Sequence, residues 1–147
     1  MPDSPAATAI RVWFEMLQRC VRAVDYPAAR DIFAPDVVAF GTRAEIVRGL
    51  DALQTQQWSG VWPLIADFTF VLDQLYVQQE GALAWAAVPW TSTGFQEDGC
   101  AFDRPGRATV TFAHRKHGWL ATHTHFSLNP GTPFRSYGTR EGSAGTF

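Results

Sequence analysis

All four histidines of the chain, His114, His117, His123 and His125, fall in one stretch near its end. Imidazole is the side chain best matched to proton transfer near neutral pH. The His123-x-His125 pair would set two rings on one side of a strand, a spacing a metal can use. No third ligand follows at a matching interval, so no metal site is expected. Cys20 and Cys100 stand in no motif, which argues against a disulfide framework or a thiolate site. For acid–base work inside a cavity the candidates are His114, Asp36 and Asp67. The competing reading is that the histidines simply hydrogen-bond to threonines across a sheet.

Two strands must position these histidines, Arg107 to Arg115 and Trp119 to Leu128, and the turn between them decides which way each side chain points. A two-residue turn at His117-Gly118 would set Val110 and Phe112 beside His123 and His125. A three-residue loop, Lys116-His117-Gly118, does the opposite, and Gly118 suits the left-handed residue that such a loop ends on. It also separates apolar from polar more cleanly and is preferred. Val110 and Phe112 then join Thr122, Thr124 and Phe126 on the inner face. Thr109, Thr111, Trp119, His123 and His125 form the outer one, a surface suited to a homodimer interface. With Phe40, Trp58, Trp62 and Trp90, the inner set would line an apolar ligand pocket, unless the same residues close into a solid core.

Earlier in the chain, Ser4-Pro5 is a helix start, and Ile10, Trp13, Phe14, Leu17, Val21 and Val24 recur at helical spacing over about five turns. Asp25 and Pro27 open a second, short helix that Pro35 would stop. Val37 to Phe40 reads as a short strand. Thr42 and Glu45 match a capping box, with a brief extended segment at Ile46-Val47 as the alternative. A third helix is expected over Leu50 to Gln57, ended by Ser59-Gly60. From Asp67 the period changes to two, giving one strand to Val77. A second runs from Ala82 to Thr93, buried on both faces in its first half, with a bulge at Pro89. Phe95 to Gly106 reads as a long loop or irregular hairpin. The whole is an α+β domain over residues 1–130 with an antiparallel sheet, followed by an extended or disordered tail, 131–147.

The totals narrow the function. The chain has 147 residues, 46% hydrophobic and 18% charged, enough for one sizeable core. A net charge of −2 with scattered arginines does not suit nucleic acid. The absence of a leader pattern and of a spanning apolar run points to a cytoplasmic protein without a membrane partner. Aromatic residues reach 14%, with six Trp and eleven Phe, which fits a large core, a lined pocket or an interface.

Two stretches carry a family resemblance. His123-Thr124-His125-Phe126-Ser127 after Gly118-Trp119 resembles the last strand of SnoaL-like proteins of the nuclear transport factor two-like superfamily. Phe33-Ala34-Pro35-Asp36-Val37-Val38-Ala39-Phe40, followed by Val47-Arg48-Gly49-Leu50-Asp51, is similar to the association domain of calcium/calmodulin-dependent protein kinase type II. The resemblance implies a cone: a curved, mostly antiparallel sheet around a long N-terminal helix, enclosing a pocket and pairing through its outer face. It places the general-base aspartate of the steroid isomerases at about Gly41, and the association domain's pocket arginines near Ala87 and Val110. Both features are lost here, which disfavours steroid-type isomerisation and an anion-binding pocket. The expected function is binding of a small, largely apolar or aromatic molecule, without a cofactor. The alternatives are a cofactor-independent isomerase, cyclase or dehydratase, and an assembly module. The fold by itself does not choose among them.

Overall fold

The computed structural model describes residues 4–139. Helix α1 spans Pro5–Ala23, with the Ser4 hydroxyl accepting from the Ala7 amide at 3.1 Å. Its apolar stripe, Ile10, Trp13, Phe14, Leu17 and Val21, is buried. At about 1.5–3 kcal/mol for each large side chain removed from water, this stripe anchors the domain. The polar side of α1 is not simply solvated. Gln18 accepts from the Phe70 amide at 2.8 Å, and Arg22 donates to the Phe68 carbonyl and the Thr69 hydroxyl at 2.7 and 2.6 Å.

Helix α2 (Tyr26–Arg30) is capped by Asp25, whose carboxylate accepts from the Ala28 amide. It ends before Pro35, which falls inside strand β1 (Phe33–Phe40) instead of stopping a helix. The pairing of β1 with the last strand shifts register between Phe33 and Val38, so the missing proline N–H disturbs no ladder bond there. Strand β2 (Ile46–Arg48) takes the extended alternative over the capping-box helix. The third helical stretch is longer than expected: α3 (Leu50–Leu53), a π-helical turn (Gln54–Trp58), α4 (Ser59–Val61) and a 3₁₀ turn (Trp62–Leu64) run on end to end. Ser59-Gly60 does not break it. The wider π turn buries two consecutive residues, Gln57 and Trp58.

The expected strand over Asp67 to Val77 is two strands, β3 (Ala66–Phe70) and β4 (Tyr76–Glu80), split by a 3₁₀ turn. Both pair with the long β5 (Leu83–Phe95). β4 covers Leu83 to Ala87 and β3 begins at Trp90, so Pro89 sits in the gap and needs no bulge. β6 (Ala101–Asp103) pairs back onto the end of β5, making the expected loop a hairpin. β7 (Gly106–Arg115) and β8 (Gly118–Leu128) close the sheet, whose main order is β2-β1-β8-β7-β5-β3. All these pairs are antiparallel except β1 with β8. The curved sheet carries α1 and the α3–α4 stretch on its inner side, and one apolar core fills the space between.

Beyond β8, Ser136 joins the chain end to the body. It accepts from the Phe95 amide at 2.9 Å and donates to the Leu64 carbonyl at 2.6 Å. The Tyr137 amide donates to the Phe95 carbonyl. Residues 131–139 thus follow the body without helix or strand, and the last part of the expected tail lies outside the described residues.

Candidate functional site

The β7–β8 hairpin is built differently from either expected turn. Arg115 pairs with Gly118, leaving a two-residue turn at Lys116-His117. Farther along, Phe112 pairs with Ala121 but Thr111 pairs with His123, so Thr122 is an extra residue in a bulge. Past that bulge the pairs are Val110 with Thr124, Thr109 with His125 and Ala108 with Phe126. These are the pairs a three-residue loop would give, reached by adding the odd residue within the strand instead of in the turn.

The bulge reorders the two expected faces. Thr122 does not look inward: its hydroxyl lies 2.8 Å from that of Thr111, on the outer face. Trp119, before the bulge, leaves the outer set. It packs edge-on against His114 and borders a groove with Pro5, Val12 and Met16 of α1. His123 and His125 are outside, flanking the Phe40 ring at centroid distances of 5.7 and 5.1 Å. His123 Nδ1 lies 2.7 Å from the Val38 carbonyl, an acceptor only, so this nitrogen carries the proton and donates.

An aromatic-walled cavity lies between the sheet and the helical stretch. Its volume is about 50 Å³, and its walls include Trp58, Trp62, Phe68, Trp90, Thr124 and Phe126. The Trp58 and Trp62 rings stack at 4.6 Å. Phe40 borders it, although its ring belongs to the outer face. Val110 and Phe112 do not line it; they lie deeper, fully buried where α1 meets the sheet. The three candidate catalytic residues do not reach it either. Asp36 is exposed and 3.6 Å from Arg115, Asp67 is exposed at the start of β3, and His114 lies at the Trp119 groove. Among the described residues, no Asp, Glu or His lines the cavity.

Arg104 does line it, and composition gave no hint of that. It follows β6, where Phe102 and Arg104 turn inward while Ala101 and Asp103 point out. Its backbone is fixed to β5 on both sides: the Arg104 amide donates to the Ser92 carbonyl at 2.9 Å, and the Ser92 hydroxyl donates to the Arg104 carbonyl at 2.7 Å. The residue is 3% exposed. Its guanidinium sits 5.6 Å from the Trp90 ring centroid and donates to Thr42 Oγ1 at 3.2 Å and, more weakly, to Ser92 Oγ at 3.5 Å. No carboxylate pairs with it among the described residues. Burial lowers its pKa to about 10, still far above neutrality, so it remains a cation. Its Nε and the Trp90 Nε1 are buried without hydrogen-bond partners.

Gln57 forms the floor beside it. Its carbonyl accepts from the Arg43 and Ala44 amides at 2.9 and 2.7 Å, and its amide donates to Thr42 at 2.9 Å. Gly41 permits this: a Cβ there would fall 2.3 Å from Gln57 Cδ. The position that the resemblance assigns to an isomerase base is thus occupied, in space, by a fixed carboxamide. Outside Arg104 a wider vestibule of about 400 Å³ opens, bordered also by Arg43, Phe134, Arg135 and Ser136.

A curved α+β sheet closed by a long N-terminal helix, with a cavity between sheet and helices, defines the nuclear transport factor 2-like, or cystatin-like, class of folds. The SnoaL-like domain family matches residues 9–130, and the chain belongs to that family. Among solved structures, a nuclear transport factor 2-like protein of unknown function from Pseudomonas putida KT2440 is 29% identical, with a TM-score of 0.69 over 86% of this chain and 89% of its own. A superfamily protein from Salmonella enterica serovar Typhimurium is 19% identical, with a TM-score of 0.74 and coverages of 87% and 94%. The CaMKII hub of S. rosetta is 20% identical, with a TM-score of 0.70 and coverages of 88% and 100%. No curated protein matches the chain.

Proposed function

We propose that this protein is a small-molecule-binding domain whose ligand places an apolar or aromatic body in the aromatic-walled cavity. One observation carries the reading: the cavity is walled by Trp58, Trp62, Phe68, Trp90 and Phe126, and Arg104 is its one ionisable side chain among the described residues. Aromatic walls with a single charged group favour binding and orientation over proton shuttling. The cavity is small, about 50 Å³, so a ring enters only if its walls give way. The test uses toluene and indole, followed by NMR of the indole N–H signals. Saturable shifts at Trp58, Trp62 and Trp90, with no comparable change at the remote Trp85, support the reading. No saturable shift refutes it.

A second proposal rests on the outer face. The paired register lines up Ile46, Phe40, His125, Thr109, Ala87 and Tyr76 in one row across the sheet. The neighbouring row holds His123, Thr111 and Trp85. Leu83, on the same side, is 63% exposed and Trp85 43%. β5 is therefore apolar on both faces but covered on only one. Thr109, Thr111, His123 and His125, joined by Trp85 and Tyr76 and without Trp119, form the proposed homodimer surface. Similarity to CaMKII association domains and hubs supports this reading. Light scattering should give a mass twice the 16.3 kDa chain, falling to one chain in Trp85→Lys; a monomeric wild type refutes it.

A further inference from the structure

We infer that the ligand of this cavity carries a carboxylate, which Arg104 holds at the boundary between the aromatic chamber and the vestibule. The inference rests on the binding reading above and narrows it to one chemical class.

Three observations converge on it. The first is an uncompensated cation: Arg104 is 97% buried, being 3% exposed, and meets hydroxyls and a ring face but no carboxylate among the described residues. Buried cations are ordinarily paired, because the charge is otherwise costly to desolvate. The second is a pair of orphaned donors. Arg104 Nε and Trp90 Nε1 are both buried and unpartnered, and both groups can only donate. Both residues line the same cavity, so what is missing there is an acceptor. The third is the approach. The vestibule shares Thr42, Val61, Ile65 and Arg104 with the chamber and adds Arg43 and Arg135; no acidic residue lines either space among the described residues. A cationic entrance raises the local concentration of anions and repels cations.

The acceptor is more specifically a carboxylate than a phosphate. A planar guanidinium meets a planar carboxylate through two parallel hydrogen bonds, while the walls around it are aromatic and supply few donors for further oxygens. The rest of the molecule must then be apolar and short, because the chamber offers only about 50 Å³ before side chains move. The matching class is small monocarboxylic acids with an aryl or short alkyl body. Arg104 enters from the β6–β7 connection, not from Ala87 or Val110, where the resemblance puts the association domain's arginines. Sequence correspondence alone therefore disfavoured an anion site that the fold supplies by another route.

The experiment compares matched pairs by calorimetry and tryptophan fluorescence: benzoate with benzamide, phenylacetate with phenylacetamide, and butyrate with butyramide. Inorganic phosphate serves as a separate arm. The acids should bind wild-type protein roughly 10- to 100-fold more tightly than their amides, as a charge-assisted hydrogen bond allows. Arg104→Met should erase that preference while still binding toluene. Trp90→Phe, which keeps the ring and removes one donor, should reduce it several-fold. Equal affinity for acids and amides, or an unchanged preference in Arg104→Met, overturns the carboxylate inference and leaves the apolar-cavity reading standing. Phosphate binding that is tighter than benzoate also overturns it. Failure of acids, amides and toluene alike overturns both.

Discussion

Replacing Arg104 with Met should make the unliganded protein more stable. The cost of burying the cation can be set from its pKa. A fall from 12.5 to about 10 corresponds, at about 1.36 kcal/mol per pH unit, to roughly 3 kcal/mol of desolvation. Against this stands the lost attraction to the Trp90 face, about 1 kcal/mol. The hydroxyl partners keep other bonds, since Ser92 donates to the Arg104 carbonyl and Thr42 accepts from Gln57, so neither is orphaned. Met retains much of the apolar stem. The net gain is therefore about 2 kcal/mol, or about 4–8 °C in Tm for a chain of this size. The sign of the pH dependence follows. Arg104 is depressed in the folded state, so the unfolded chain binds its proton more tightly, and wild-type stability rises as pH passes through about 10. The gap between variant and wild type is thus widest at neutral pH and narrows above pH 10. Urea unfolding followed by fluorescence at pH 7 and pH 10.5 measures both. A variant less stable than wild type by 1 kcal/mol at pH 7, or a gap that stays constant, would mean that the buried cation carries no such cost.

Three further outcomes are expected. Gly106→Ala should destabilise by about 2–4 kcal/mol in urea unfolding, because its Cβ would lie 2.2 Å from the Trp90 ring and 2.3 Å from the Ser127 carbonyl oxygen. Gly41→Ala should cost about 2–3 kcal/mol by displacing Gln57 from its three hydrogen bonds, and the double variant with Gln57→Ala should cost clearly less than the two singles added. His123→Phe keeps a ring beside Phe40 but leaves the Val38 carbonyl without the imidazole, a loss of about 1 kcal/mol by thermal melting; no loss would mean water replaces that bond without cost.

Periodicity carried the long elements. The α1 stripe, the Ser4 cap of α1 and the Asp25 cap of α2 are local features, and local features are what spacing encodes. The breaks were less legible because they depend on partners. Pro35 and Pro89 look like punctuation, yet both sit where a neighbouring strand leaves no amide required. The π turn that buries Gln57 beside Trp58 has no periodic signature, since it arises from packing against the Thr42–Ala44 loop. Of the expected cavity residues, Trp58, Trp62, Trp90, Thr124 and Phe126 come together, whereas Val110 and Phe112 fill the interior and Thr122 turns away. Arg104 was hidden because only the pairing of the short β6 decides which side of the chain faces in. The alternation of Ala101, Phe102 and Asp103 was the one trace of it.

The bulge at Thr122 also bears on how this hairpin should be compared with others. A relative that carries its odd residue in the turn would share the lower half of the sheet with this chain, yet differ in numbering offset at the tip. Because the two hairpins then have equal length, a comparison drawn without gaps would mismatch Trp119, Leu120 and Ala121 by one position while matching Thr124 and Phe126 correctly. Roles carried across such a comparison hold on one side of Thr122 and slip by a residue on the other. Trp119 lies on the slipping side, and His123 and His125 on the secure one.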